Sequence, residues 1–213
     1  MYPKNMIPIA EVRKFIIIFF SVGVLGFIIP FSKPLFITIT PFALLLNTYL
    51  LAVFHPHYGP KDLIIFLFIF FCGFTLEVIG VNYGLIFGHY SYGSALGIKL
   101  FSTPIMIGIN WLFLTYSASS LTTFLKLNKW LSILIAPIFM LIYDIVLEQV
   151  APKMDMWHWQ DGDIPIQNYI AWYLIALCFV FLIKTFKIKT KNPMGPILFV
   201  CQFIFFLFLN VLL

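Results

Sequence analysis

The chain has 213 residues, of which 62% are hydrophobic and 10% charged, and it carries a formal net charge of +5. Soluble domains average about 45–50% apolar and about 25% charged residues, and a chain folded in water could not cover so much apolar surface. Composition therefore excludes a soluble fold, and the mean hydropathy of +1.02 implies one helical membrane domain over residues 1–213.

A spanning helix needs roughly 20 mostly apolar residues. In chain order the predicted spans are Phe15–Ile29, Leu35–Phe54, Leu63–Val81, Pro104–Leu125, Trp130–Val150, Tyr169–Ile183 and Ile197–Leu213. The first and sixth are short and need flanking residues to complete them. Arg13 and Lys14 before the first run imitate a signal peptide, but no small-residue cleavage site follows, so an uncleaved first span is expected. The connectors carry the Pro and Gly punctuation, as in Ser32-Lys33-Pro34 and His55-Pro56-His57-Tyr58-Gly59-Pro60. No period-two alternation supports a β-barrel. Cys72, Cys178 and Cys201 lie inside apolar runs without metal or redox spacing and read as packing residues.

The basic residues set orientation. With seven spans and a cytoplasmic N-terminus, the inner side holds Lys4, Arg13, Lys14, Lys61, Lys126, Lys129, Lys184, Lys187, Lys189 and Lys191. The outer side holds Lys33, Lys99 and Lys153. Ten against three predicts an N-in, C-out protein of the cytoplasmic membrane. The positive charge is thus topological, and nucleic acid is not an expected partner. No internal repeat of the transporter kind is visible.

Six of the eight acids gather towards the outer face: Glu77, Asp144, Glu148, Asp155, Asp161 and Asp163. Intramembrane acids are costly and point to function by default. Asp144 and Glu148 stand at i and i+4 and share a helix face. Two like charges there repel, so the pair is expected to share a proton. Glu77 is a lone acid one turn from Gly80, suited to chemistry or to a hydrogen bond with a neighbouring helix.

Two connectors are more than linkers. Residues 82–97, with Asn82, Tyr83, Tyr90, Tyr92 and several glycines, are too glycine-rich for a helix and too aromatic for a solvated loop. They are expected to fold back on the bundle as a re-entrant-like segment after the third span. The second connector, residues 154–168, contains Trp157-His158-Trp159 and Asn168. Its indoles read either as interfacial anchors or as an aromatic wall whose faces stabilise a cation. His89 and His158 have no partners at metal spacing, so no metal is expected.

Two blocks together resemble a known family. The first is Glu77-Val78-Ile79-Gly80-Val81-Asn82-Tyr83-Gly84 with Phe87-Gly88-His89-Tyr90-Ser91-Tyr92. The second is Asp144-Ile145-Val146-Leu147-Glu148, then Trp157-His158-Trp159 and Gly162-Asp163-Ile164-Pro165-Ile166-Gln167-Asn168, ending at Trp172. They resemble the CruF-type carotenoid hydratases, a family that includes carotenoid 1,2-hydratases and bisanhydrobacterioruberin hydratases. One departure is that the family usually reads Asp-Pro where this chain has Glu148-Gln149.

The resemblance implies a cofactor-independent hydro-lyase that adds water to the terminal double bond of an acyclic carotenoid. The implied substrate is lycopene-like or γ-carotene-like, and the implied partners are membrane lipid and other enzymes of carotenoid synthesis. Asp144 or Glu77 would donate the proton, with Glu148 as partner or base. Asn82, Tyr90, Tyr92, Trp157, His158, Trp159, Asn168 and Trp172 would bind substrate, the aromatic residues lining the cation site and Asn168 orienting water. Two other readings remain open at this stage. One is a carotenoid end-group cyclase or isomerase that makes the same cation. The other is a non-catalytic proton-coupled carrier or polyene-binding membrane protein.

Overall fold

The computed structural model describes residues 8–160 and 162–213. Lys4 of the charge count and Asp161 of the acid group lie outside the described residues. Seven α-helices form the body: α1 Ile9–Ile28, α2 Lys33–Val53, α3 Pro60–Tyr83, α4 Met106–Phe124, α5 Lys129–Glu148, α6 Ile166–Thr185 and α7 Gly195–Leu212. Four short strands sit in the two long connectors: β1 Tyr90–Tyr92, β2 Lys99–Leu100, β3 Thr103–Pro104 and β4 Trp157–Trp159. A 3-10 turn, Pro152–Met154, precedes β4.

Local chemistry sets the helix ends. The Asn128 side chain accepts the Leu131 N–H at 2.9 Å and starts α5. The Asp62 carboxylate accepts the Gly59 N–H at 2.9 Å beside Pro60 at the first turn of α3. That helix stops at Gly84, whose φ of 67° is left-handed and suits glycine. Every helix but α4 begins before its predicted span. α1 begins at Ile9 and α6 at Ile166, because charged or amide residues at a helix end remain helical when they reach the interface.

Five helices, α2, α3, α5, α6 and α7, are long and apolar enough to cross a membrane. Their outer faces are apolar as well, with Phe42, Phe68, Ile142 and Phe208 all exposed. This is the construction of a multi-pass membrane protein, whose outward surface is matched to lipid rather than water. The remaining two helices differ for separate reasons. α1 carries Glu11, Arg13 and Lys14 in its opening turns. α4 is rich in Ser and Thr, but 14 of its 19 residues are buried, so its polarity faces protein and not lipid.

α4 is the central post, packed against α2, α3, α5, α6 and α7. Its approach to α3 depends on two glycines. A Cβ on Gly73 would stand 2.8 Å from the Trp111 Cβ, and one on Gly108 would stand 2.7 Å from the Phe70 carbonyl oxygen. Small residues at such crossings let backbones close in. Towards the opposite end of α3 from Glu77, a second buried polar cluster ties the helices together. The His55 Nδ1 and Tyr116 hydroxyl are 2.7 Å apart, and Asn192 Nδ2 donates to the Leu51 carbonyl at 2.8 Å.

The connector after α3 forms short strands. β1 pairs antiparallel with β4, Tyr90 opposite Trp159 and Tyr92 opposite Trp157, while β2 and β3 form a small hairpin. The two connectors that stood out in the sequence are therefore one structure. Replacing Gly73 by leucine is expected to drive α4 away from α3 and lower stability by about 1–3 kcal/mol, the usual cost of overpacking. Thermal unfolding of the purified protein in detergent micelles measures this.

Candidate functional site

Three carboxylates converge beneath the β1–β4 pair, and each is held by side-chain donors from outside its own helix. Glu77 is buried near the C-terminal end of α3. Its Oε2 accepts the Tyr90 hydroxyl at 2.5 Å and the Tyr92 hydroxyl at 2.7 Å, and its Oε1 accepts the Trp111 indole N–H at 2.9 Å. Burial, then the nearby Glu77 charge, pushes both tyrosine hydroxyls well above their ordinary range, so they stay protonated donors. The hydrogen bond to a partner helix that the lone acid suggested is thus present, through Trp111 of α4.

Glu148 is the last residue of α5. Its Oε2 accepts the indole N–H groups of Trp157 at 2.9 Å and Trp159 at 2.8 Å, and its Oε1 accepts Asn168 Nδ2 at 3.1 Å. The i, i+2 spacing on β4 puts both indoles on one side of the strand and His158 on the other. Asp144 lies one turn earlier on α5 and is fully buried. Asn168 Nδ2 also donates to Asp144 Oδ2 at 3.2 Å, so one amide bridges both acids. Asp144 Oδ1 has no hydrogen-bond partner.

Glu77 and Glu148 face a common cavity of about 20 Å³. Tyr90, Tyr92, Trp157, Trp159, Asn168 and Trp172 line it, with Phe87 and Ile107. That volume holds about one water molecule, and the surrounding carboxylates and amide supply polar partners for it. Trp172, one turn beyond Asn168 on α6, stacks on Trp111 at 4.3 Å between ring centroids. Tyr90 packs on Trp159 at 5.2 Å. The cavity is therefore polar at two carboxylates and aromatic elsewhere.

Most of the residues singled out in the sequence meet here: Glu77, Tyr90, Tyr92, Glu148, Trp157, Trp159, Asn168 and Trp172. Asp144 sits just behind Asn168. Asn82 and His158 do not reach the cavity. Asn82 donates to the carbonyls of Val78 and Phe101 at 2.8 and 3.0 Å and braces the β2–β3 hairpin. His158 is exposed, 3.4 Å from Asp155. Trp111, Phe87 and Ile107 were not legible as site residues. Trp111 lies in a long apolar run, and only the α3–α4 crossing reveals its partner. Among the described residues, no three His, Cys, Asp or Glu side chains gather as metal ligands would.

A membrane protein with three buried carboxylates under an aromatic lid is the class that this fold and site define. The chain belongs to the carotenoid biosynthesis protein family, whose family model matches residues 32–213. That match takes in α2 to α7 and the whole site. No curated protein and no solved structure matches the chain.

The lid is fastened at its rim by Asp155. Its Oδ2 accepts the Ser94 hydroxyl at 2.5 Å and the Ser94 backbone N–H at 2.9 Å. These bonds hold the Asp155 carboxyl below its ordinary range. The clamp is thus intact at neutral pH and lost only as pH falls below about 4, the ordinary aspartate value, through the lower folded value. Asp155→Asn is expected to lower the thermal midpoint at pH 7 and to remove this acid-dependent loss. A midpoint-against-pH series on both proteins tests it.

Proposed function

We propose that the protein is a carotenoid hydratase acting on the terminal double bond of an acyclic end group. One observation carries the reading: two buried carboxylates face one aromatic-walled cavity with room for a water, in a chain of a carotenoid biosynthesis family. Hydrating an unactivated trisubstituted alkene needs a positioned acid, a wall that tolerates a cation, and a water with a base beside it. Glu77 and Glu148 each accept three N–H or O–H donors. Asp144 has one donor and an unpartnered oxygen, and is the carboxyl best suited to carry a proton.

The reaction then runs as follows. Asp144 supplies the proton through Glu148, which faces the cavity, and a C–H bond forms at carbon 2 as the double bond opens. The tertiary cation at carbon 1 lies against the rings of Trp157, Trp159 and Tyr90, whose faces are electron-rich. Water attacks carbon 1, Asn168 orients it, and Glu77 takes its proton. Return of the proton from Glu77 to Asp144 restores the enzyme, and the net change is addition of one water, with no electron transfer. Lycopene-like and γ-carotene-like molecules carry the required end group, and an apolar substrate arrives from the surrounding lipid.

In the membrane we propose seven spans with the N-terminus inside, in the cytoplasmic membrane. The ten-to-three distribution of basic residues supports this orientation. The carboxylate site then lies towards the outer face, with β1 to β4 as a partly re-entrant lid.

The test is pigment analysis by liquid chromatography and mass spectrometry in cells that accumulate lycopene and express this chain. The expected product is heavier by one water. Asp144→Asn and Glu77→Gln should each reduce it by about 10²–10⁴-fold, the usual worth of general acid–base groups, while the protein still accumulates in the membrane. Undiminished turnover in both variants would sink the assignment. A product of unchanged mass but altered retention would indicate a cyclase.

A further inference from the structure

A second cavity, of about 320 Å³, lies between α1, α2 and α7, away from the residues that hold the three carboxylates. Phenylalanine is the most frequent residue of its walls, with Phe20, Phe36 and Phe205 among them. Val22 and Phe42 at its edge are exposed on the outer, lipid-matched surface, so it opens sideways. The volume is at the lower end of ligand pockets. It suits an end section of a long apolar molecule.

The cavity is not uniformly apolar. Two buried amides, Asn47 and Gln202, line it, each 3% exposed. Gln202 Nε2 donates to the Tyr143 hydroxyl at 2.6 Å, and its Oε1 has no partner. Whichever end of the amide meets Tyr143, the other end is left unpartnered in an apolar setting. A buried polar atom in that state is costly. A hydroxyl group both donates and accepts, so it suits either end of the amide. A plain acyl chain offers neither.

The cavity is joined to the reaction site through the chain. Met154 and Met156, from the turn and strand approach that carry Trp157, form part of its wall. Tyr143, the partner of Gln202, immediately precedes Asp144 on α5.

We propose that this cavity binds the hydroxyl-bearing end of an isoprenoid alcohol, seated with its hydroxyl on Gln202 and its hydrocarbon against the phenylalanines. That the alcohol is the hydrated end of the carotenoid product rests on the hydratase reading; the preference for an alcohol does not.

The test reads binding and needs no turnover. Ala43 lines the cavity, and Ala43→Cys provides a thiol whose alkylation by a maleimide is followed by mass spectrometry in detergent micelles. The probes are dihydromyrcenol, a ten-carbon isoprenoid tertiary alcohol, and dihydromyrcene, its hydrocarbon counterpart, at matched micellar mole fraction. The alcohol is expected to protect the thiol at a roughly threefold to tenfold lower concentration, the worth of one net hydrogen bond. Adding Gln202→Leu should erase that preference and leave protection by the hydrocarbon. Equal protection by both probes, no protection by either, or a preference that survives Gln202→Leu would overturn the proposal. The comparison of the two probes stands even if the leucine variant fails to fold. An alcohol preference without carotenoid hydration in cells would keep this site and reject the hydratase; hydration without the preference would do the reverse.

Discussion

Three carboxylates buried among helices of a membrane protein must each find hydrogen-bond donors, and much of the structure follows from that constraint. An unpaired ion in a medium of low dielectric is prohibitively costly. The donors cannot come from the helices that carry the acids, because helix backbone N–H groups are already used within the ladder. They come from side chains elsewhere: Tyr90 and Tyr92 of β1, Trp111 of α4, Trp157 and Trp159 of β4, and Asn168 of α6. To deliver them, two connectors far apart in the chain must meet as strands over the helix ends. The β1–β4 pair is thus the means by which Glu77 and Glu148 are held, and the Ser94–Asp155 clamp fixes that pair at its edge.

The choice of donor also matters. Indole and phenol groups bring one polar hydrogen and a large ring each. They neutralise part of the carboxylate charge without bringing a cation, and their faces remain available to the cavity. A lysine or arginine partner would have formed an ion pair and repelled a developing carbocation. Glu77 and Glu148 have no such partner among the described residues. On the proposed reading this separates two demands that conflict: charged carboxylates must be stabilised, and the space between them must stay hospitable to positive charge.

The helices were legible because apolar runs of span length leave little choice in lipid, and the i, i+4 pair Asp144 and Glu148 announced a shared face. The Trp157–His158–Trp159 alternation gave the two-sided strand, but not what it pairs with. Hydrogen-bond partners separated by tens of residues leave no mark in a local pattern. That is why Trp111 was invisible in its apolar run, and why Asn82, adjacent to the acid block, looked like a binding residue when its amide braces the β2–β3 hairpin. α4, Met106–Phe124, falls within the predicted span Pro104–Leu125. Its Ser and Thr content lowers its hydropathy, yet central burial makes it the post of the bundle.

The proposed chemistry turns on how much water reaches the cation. A hydratase and a cyclase share the first step, and differ in whether the cation is captured by water or by a neighbouring double bond. The acid cavity has room for about one water between Glu77, Glu148 and Asn168. A single ordered water is enough for capture and too little to solvate the cation before it reacts. The polyene's own double bonds, by contrast, can compete only if its end group coils back on itself. On the proposed reading, an end group that stays extended leaves the water beside Glu77, Glu148 and Asn168 as the nearest nucleophile, and hydration follows.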